Sequence, residues 1–295
     1  MRSDIVEQLG DGVLRMMHSV PAVPVEYGLR LGDASIPLNA LLGMRLMIRF
    51  EGRISCQHCG NATRKSYADG YCYTCFKTLA RCDLCVVSPN RCHFAAGTCR
   101  EPEWGEAFCM QPHLVYLANS AGAKVGITKP VNLPMRWLDQ GATQAVVVMH
   151  TLSRFQAGCV EAALARYVAD RTDWRALVSG DAASIDLATL AARLRIDAAV
   201  ELAGLDARFP GALTWASPLH GERFEYPVQA YGSPARGLSL EPGGEVVGRL
   251  LGIKGQYLMF DSGVFNVRRH TSYHVEVARL TDAAIDDSLG QMELF

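Results

Sequence analysis

The sequence has no long apolar run. Its longest purely apolar stretches, such as Ala145–Met149, fall far short of the ~20 residues a helix needs to cross a bilayer. The opening MRSDIVEQLGDGVLRMM scatters charges where a secretory signal needs an unbroken apolar segment. Net charge is almost absent, at -1 over 29 basic and 30 acidic residues. That excludes a surface coated in basic charge and leaves room only for a local patch. No internal repeat or low-complexity tract is present. With 49% apolar and 20% charged residues the chain is not a disordered one. These features predict a soluble, cytoplasmic protein, and 295 residues suggest two or three domains.

Cysteine is plentiful by contrast. There are ten, nine of them between Cys56 and Cys109, with Cys159 outside. A disulfide scaffold normally belongs to a short secreted chain, so clustered CxxC pairs point instead to a metal. Cys56-Gln-His-Cys59 is followed after twelve residues by Cys72-Tyr-Thr-Cys75. Each pair makes a knuckle that aims two thiolates at one point, and two knuckles from adjacent hairpins complete a tetrahedron around zinc. Gly60 and Gly70 supply the backbone freedom such turns need, and His58 reads as a solvent-facing spacer. A second run follows: Cys82-x2-Cys85-x6-Cys92-His93-x5-Cys99-x9-Cys109, with His113 four residues on. Cys82, Cys85, Cys99 and Cys109 are the first choice for a second zinc, with Cys92 or His93 as a substitute. The alternative is that one or two of these are small buried hydrophobes. Neither set leaves a position for catalytic water, so both zinc ions are read as structural. Arg53, Arg64, Lys65, Arg81, Arg91 and Arg100 are placed to offset the charge of a four-thiolate centre.

The pattern predicts an α+β fold in five segments. Residues 1–50 form a β segment with strands at Tyr27–Leu31 and Leu46–Phe50. Residues 51–112 form the Cys-rich module, too poor in aliphatics to build its own core. Residues 113–180 read as β-β-α-β-α: Leu114–Ala118, Lys124–Thr128, a short helix from Pro134 closed by Gly141, Ala145–His150, and a helix over Gln156–Asp170. Residues 181–221 are helical. Residues 222–295 return to short strands, Val246–Leu251, Gln256–Asp261, Val264–Arg268 and Tyr273–Val277, and end in an acidic tail, Asp282–Phe295, that reads as frayed.

The central segment, VYLANSAGAKVGIT...LPMRWLDQGA...CVEAALARYVAD, resembles a divergent GIY-YIG nuclease core. Val115-Tyr116 stands at the GIY position, so Tyr116 fits the family tyrosine. Lys124-Val125-Gly126 stands at the YIG position, with lysine replacing the second tyrosine. Arg136 fits the family arginine and Glu161 the glutamate that holds one divalent metal. The resemblance covers roughly residues 113–180 and implies a small antiparallel sheet with flanking helices. The whole pattern, a Cys-rich module running straight into HLVYLA and KVGIT, also resembles a bacterial family of unassigned function.

That resemblance implies a divalent-metal-dependent endonuclease. Glu161 would hold Mg²⁺ or Mn²⁺, Arg136 would grip the phosphate, and Tyr116 or a deprotonated Lys124 would take a proton from water. The residues also admit plainer roles: Glu161 as a salt-bridge partner of Arg136 or Arg166, and Tyr116 and Lys124 as ordinary strand residues. Between Leu114 and Gly180 seven basic and four acidic residues leave a net +3, which permits contact with DNA or RNA. Trp174 reads as a core cap before a base-stacking platform, and Arg268-Arg269-His270 as a further backbone contact. The rivals are an inactive nucleic-acid-binding module, a zinc-stabilised protein-interaction scaffold, and an enzyme of another class on the same scaffold.

Overall fold

The computed structural model describes residues 5–168, 173–180, 182–231 and 236–281. The N-terminal part contributes strands β1 (Ile5–Val13), β2 (His18–Val20), β3 (Glu26–Leu31), β4 (Ala34–Pro37) and the long β5 (Arg45–Ser55). The Cys-rich module holds β6 (Ala62–Thr63) and three short helices, α1 (Tyr73–Thr78), α2 (Leu84–Val87) and α3 (Pro102–Phe108). The central segment runs β7 (His113–Asn119), β8 (Ala123–Thr128), α4 (Met135–Asp139), β9 (Gln144–Thr151) and α5 (Arg154–Leu164). Helices α6 (Trp174–Leu177), α7 (Leu187–Asp197) and α8 (Ala199–Arg208) follow. The rest is β10 (Leu213–Trp215), β11 (Gly221–Arg223), β12 (Gly237–Leu238), β13 (Glu245–Lys254), β14 (Tyr257–Phe260), β15 (Gly263–Asn266) and β16 (Tyr273–Leu280).

Three sheets organise these elements into an α+β fold. In the largest, the order is β1-β16-β5-β13-β14-β15-β12, with β6 on β5. The three-stranded β2-β3-β4 sheet packs on it through one shared core that includes Leu29, Leu31, Ile48, Phe50, Leu250 and Val275. The strands expected separately at the two ends of the chain are therefore neighbours: β5 pairs with both β16 and β13. Local pattern reads strands but not such distant partners.

The central sheet has the order β10-β9-β7-β8, with β11 also on β9, and its pairs are antiparallel. Side chains alternate across it. Val115, Leu117, Val125 and Ile127 face α5, α7 and α8, while Tyr116 and Ala118 face Trp137 of α4. Every residue of β7 is buried, because both faces of this strand are covered. The β-β-α-β-α order is as expected. The last helix is shorter than the expected Gln156–Asp170: α5 begins at the Ser153 cap, whose hydroxyl accepts from Gln156 N, and ends at Leu164. Residues 169–170 of that expectation, and the tail Asp282–Phe295, lie outside the described residues. The expected 181–221 helical stretch is two helices, α7 and α8, followed by two short strands. Trp174 stacks on Tyr257, with centroids 6.2 Å apart, so it joins the core. The Arg268–His270 run is a 3-10 turn instead of a strand.

Candidate functional site

Cys56, Cys59, Cys72 and Cys75 bring their sulfurs within 4.8 Å of one another. Cys59 Sγ and Cys72 Sγ are 3.8 Å apart, close to the ~3.8 Å edge of a tetrahedron with Zn–S bonds of about 2.3 Å. Local structure makes this convergence. Cys56 leaves β5 into a turn closed by Gly60 N to Cys56 O at 2.8 Å. Gly60 (φ +74°) and Gly70 (φ +135°) occupy backbone regions that favour glycine. The second knuckle differs from the expected hairpin. Cys72 caps α1, its sulfur accepting from Cys75 N at 3.5 Å, so the thiols gather at a helix start. Burial works to raise the Cys56 thiol, but backbone N–H donors from Cys59, Cys72 and His58 prevail and hold it at about 6. Burial and its neighbouring sulfurs push Cys75 up. Four thiols with this spacing suit a structural metal ion such as zinc. His58 is exposed, as expected of a spacer.

Cys82 departs from its expected place in the second set. It is buried with Cys56, Cys75 and Leu79, on the side of the first cluster. Cys85, Cys92, Cys99 and Cys109 instead line one small cavity, together with His93. Burial pushes the Cys85 thiol up to about 11, and Asp83, Cys92, Cys109 and Cys99 add to the shift. Asp83, Cys85 and His93 also form a close trio. Asp83 is already engaged: its carboxylate pairs with Arg100 at 2.6 Å and accepts from Cys85 N at 3.4 Å. His113 does not line this cavity; it stands in the cleft described next.

That cleft, of about 420 Å³, lies between the Cys-rich module, β8, α4 and α5. Its walls carry Lys129, Arg136, Arg154 and Arg268 with one acidic residue, Glu161. The module supplies Val86, Val87, Pro89 and Phe108. Arg154 is anchored to it through its backbone N, which donates to Cys109 O at 2.8 Å, and through its guanidinium, which donates to Val86 O. Lys129 lies over the Phe108 ring at 4.3 Å. Arg268 also pairs with Asp69 at 2.8 Å.

Of the four residues expected to carry chemistry, Arg136 and Glu161 line the cleft; Tyr116 and Lys124 do not. The latter two flank Arg136. Tyr116 donates to Gln140 Oε1 at 3.0 Å, and burial raises its pKa against the lowering effect of Arg136. Lys124 is buried, which lowers its pKa to about 8, with Arg136 adding to the shift. Glu161 lies in electrostatic range of Tyr116 and Arg154. The alternative partner Arg166 is bound elsewhere, to Glu201 at 3.2 Å. Gly126 faces Tyr116 across the hairpin, and a Cβ there would lie 2.5 Å from the phenol. The glycine of KVG is thus the seat of the tyrosine ring.

The sequence places His113 beside the thiols, four residues after Cys109. Its Nδ1–H donates to Gln111 O at 2.8 Å, which leaves a lone pair on Nε2. Nε2 is buried with no hydrogen-bond partner among the described residues. Burial lowers this imidazole to about 4, so it is neutral at pH 7. Arg154 stood out in the sequence only as one of several basic residues, because nothing local reveals that α5 begins against the module.

Among the described residues, no helix is long and apolar enough to cross a membrane. No curated protein and no solved structure gives a significant match to this chain. A family match does, and it takes in both cysteine clusters, the cleft and most of the C-terminal strands: the chain belongs to the family described as Protein of unknown function (DUF2797), which matches residues 43–275.

Proposed function

We propose that the chain is a zinc-stabilised nucleic-acid-binding protein whose central segment is a GIY-YIG-like, divalent-metal-dependent endonuclease core. The observation that carries this reading is the cleft: four cations and a single carboxylate, Glu161, on walls that include α4 and α5. Cations in that number suit a phosphodiester backbone, and a lone carboxylate among them suits a hard divalent cation that keeps most of its waters. The thiolate cluster fits zinc best, as tetrahedral all-sulfur sites favour it. Reduced thiols of this kind also suit a cytoplasmic protein.

Each side chain then has a role. Arg136 and Arg154 grip phosphate oxygens. Glu161 would hold a Mg²⁺ or Mn²⁺ ion, which would supply charge stabilisation for phosphodiester cleavage. Neither sequence candidate lines the cleft, so the proton passes through an intervening water, and Lys124 is the better acceptor of the two, because burial brings its amine toward neutrality while it takes the phenol of Tyr116 further from ionisation. Tyr116 positions Arg136.

Glu161→Gln tests the chemistry. The amide is nearly isosteric but does not hold a hard cation. Mg²⁺- or Mn²⁺-dependent cleavage of DNA or RNA is expected in the parent and lost in the variant, with binding and melting temperature kept. Binding without cleavage in the parent supports an inactive binding module. Cleavage that persists in a folded Gln variant places the chemistry elsewhere.

A further inference from the structure

The segment after Cys82 folds without a core of its own. Across residues 83–112, all of them described, Cys109 is the only apolar side chain that is buried apart from Pro89. None of the apolar core clusters includes a residue from this stretch. Its helices are four and seven residues long, with 3-10 turns of three between them, too short to persist by themselves. Yet the segment is built to a definite shape and forms a wall of the cleft. A module of this kind needs a cross-link.

We propose that Cys85, Cys92, Cys99 and Cys109 hold a second thiophilic divalent ion, zinc by chemistry, and that this centre shapes the module's wall of the cleft. The four thiols line one small cavity of about 10 Å³, the scale of a single water-sized sphere; their sulfurs are not gathered as tightly as those of the first quartet, which lie within 4.8 Å of one another, so binding the ion would draw them in. Each comes from a different piece of the segment. Cys85 lies in α2, Cys92 ends the Pro89–Arg91 turn, Cys99 follows the Phe94–Ala96 turn, and Cys109 ends α3. An ion held by them would pin four otherwise independent pieces. The close approach of α3 supports this: a Cβ on Gly105 would lie 3.1 Å from Cys99 Sγ.

The rival ligands are accounted for. Cys82 packs with the first cluster. Asp83 is paired with Arg100 at 2.6 Å. The His93 Nδ1 is bound to Thr98 Oγ1 at 2.8 Å, and its Nε2 lies 3.6 Å from Asp83. These groups form a polar rim that holds the loop around the cavity. The link to the cleft is direct, since Cys109 O accepts from Arg154 N and Val86, next to Cys85, accepts from the Arg154 guanidinium.

The test is zinc stoichiometry by elemental analysis, with X-ray absorption at the zinc edge, on the full chain purified under reducing conditions. Two zinc ions per chain are expected, with about four sulfurs around each and no nitrogen or oxygen in the first shell. Cys82→Ala should retain both ions. Cys92→Ala should retain one, as should Cys59→Ser, which removes the first centre. One zinc in the parent overturns the proposal, as does a nitrogen or oxygen contribution, which would favour the Asp83–Cys85–His93 trio. Loss of an ion in Cys82→Ala also overturns it. The absorption spectrum of the parent and the Cys82→Ala count decide the matter even where Cys92→Ala does not fold. None of these readouts depends on nuclease activity, so the nuclease reading stands or falls separately.

Discussion

Lys124 shows how placement changes a residue's chemistry. On a strand facing water it would be a cation of ordinary basicity. Buried in β8 beside Arg136, its pKa falls from 10.5 to about 8. Between pH 8 and 10.5 the unfolded chain keeps a proton that the folded chain has lost, so stability should rise with pH across this window. Below pH 8 both states are protonated and this contribution is flat. If the neutral amine accepts the proton of the attacking water, cleavage should climb with pH and level off above about 8. Lys124→Met keeps the apolar stem without the amine. It should abolish the climb in activity and the rise in melting temperature over the same range. A melting profile that keeps its rise in Lys124→Met would show that another group titrates there. The type of side chain at position 124 was legible in the sequence, but its basicity was not, because burial comes from α4 and from neighbouring strands. The same holds for His113, which the sequence places next to thiols and the fold places in a cleft.

Among the elements, those defined by neighbours in sequence were the most legible. The β7–β8 hairpin shows as two apolar runs around NSAGA, and α4 as a Pro134 start and a Gly141 stop, the latter at φ +64°. The first cysteine quartet was legible because CxxC spacing fixes its own geometry. The second was not, since five thiols satisfy any four-ligand rule, and only the packing of Cys82 beside Cys56 and Cys75 separates it. The eight-stranded sheet was illegible for a related reason: β5 meets β16 more than two hundred residues away. Helix α5 joins the module to the central sheet. A Cβ at its Gly158 would lie 2.4 Å from Pro89 Cβ and 2.7 Å from Asn90 N. Gly158→Val should therefore cost about 1–3 kcal/mol, as overpacked contacts do. It should also loosen the Val86–Pro89 wall, read as faster amide exchange there. An unchanged melt and unchanged exchange would mean that the module does not depend on this contact.

In the whole molecule, residues distant in sequence are tied at a few buried polar points. Gln256 accepts from Met17 N at 2.9 Å and donates to Met17 O and to Asp139 Oδ1, each at 3.0 Å, so one side chain joins the first, central and last thirds of the chain. Helix α4 does the same with three successive residues: Arg136 on the cleft, Trp137 under the central sheet and Leu138 in the core of the large sheet. The cleft is a product of this assembly, with walls from the module, the central segment and, through Arg268, the C-terminal strands. Near-neutral net charge conceals it, since its cations gather only on folding. The most direct test of the account is the salt dependence of nucleic-acid binding, measured by fluorescence anisotropy with short labelled DNA and RNA, single- and double-stranded, in the parent and in Arg136→Ala and Arg268→Ala. With four cations engaged, log K should fall with log salt at a slope of up to about -3.6 on duplex DNA, and each variant should reduce that slope by about 1. Failure of every probe to bind at about 50 mM salt, or slopes that the two variants leave unchanged, would contradict a nucleic-acid cleft at this place.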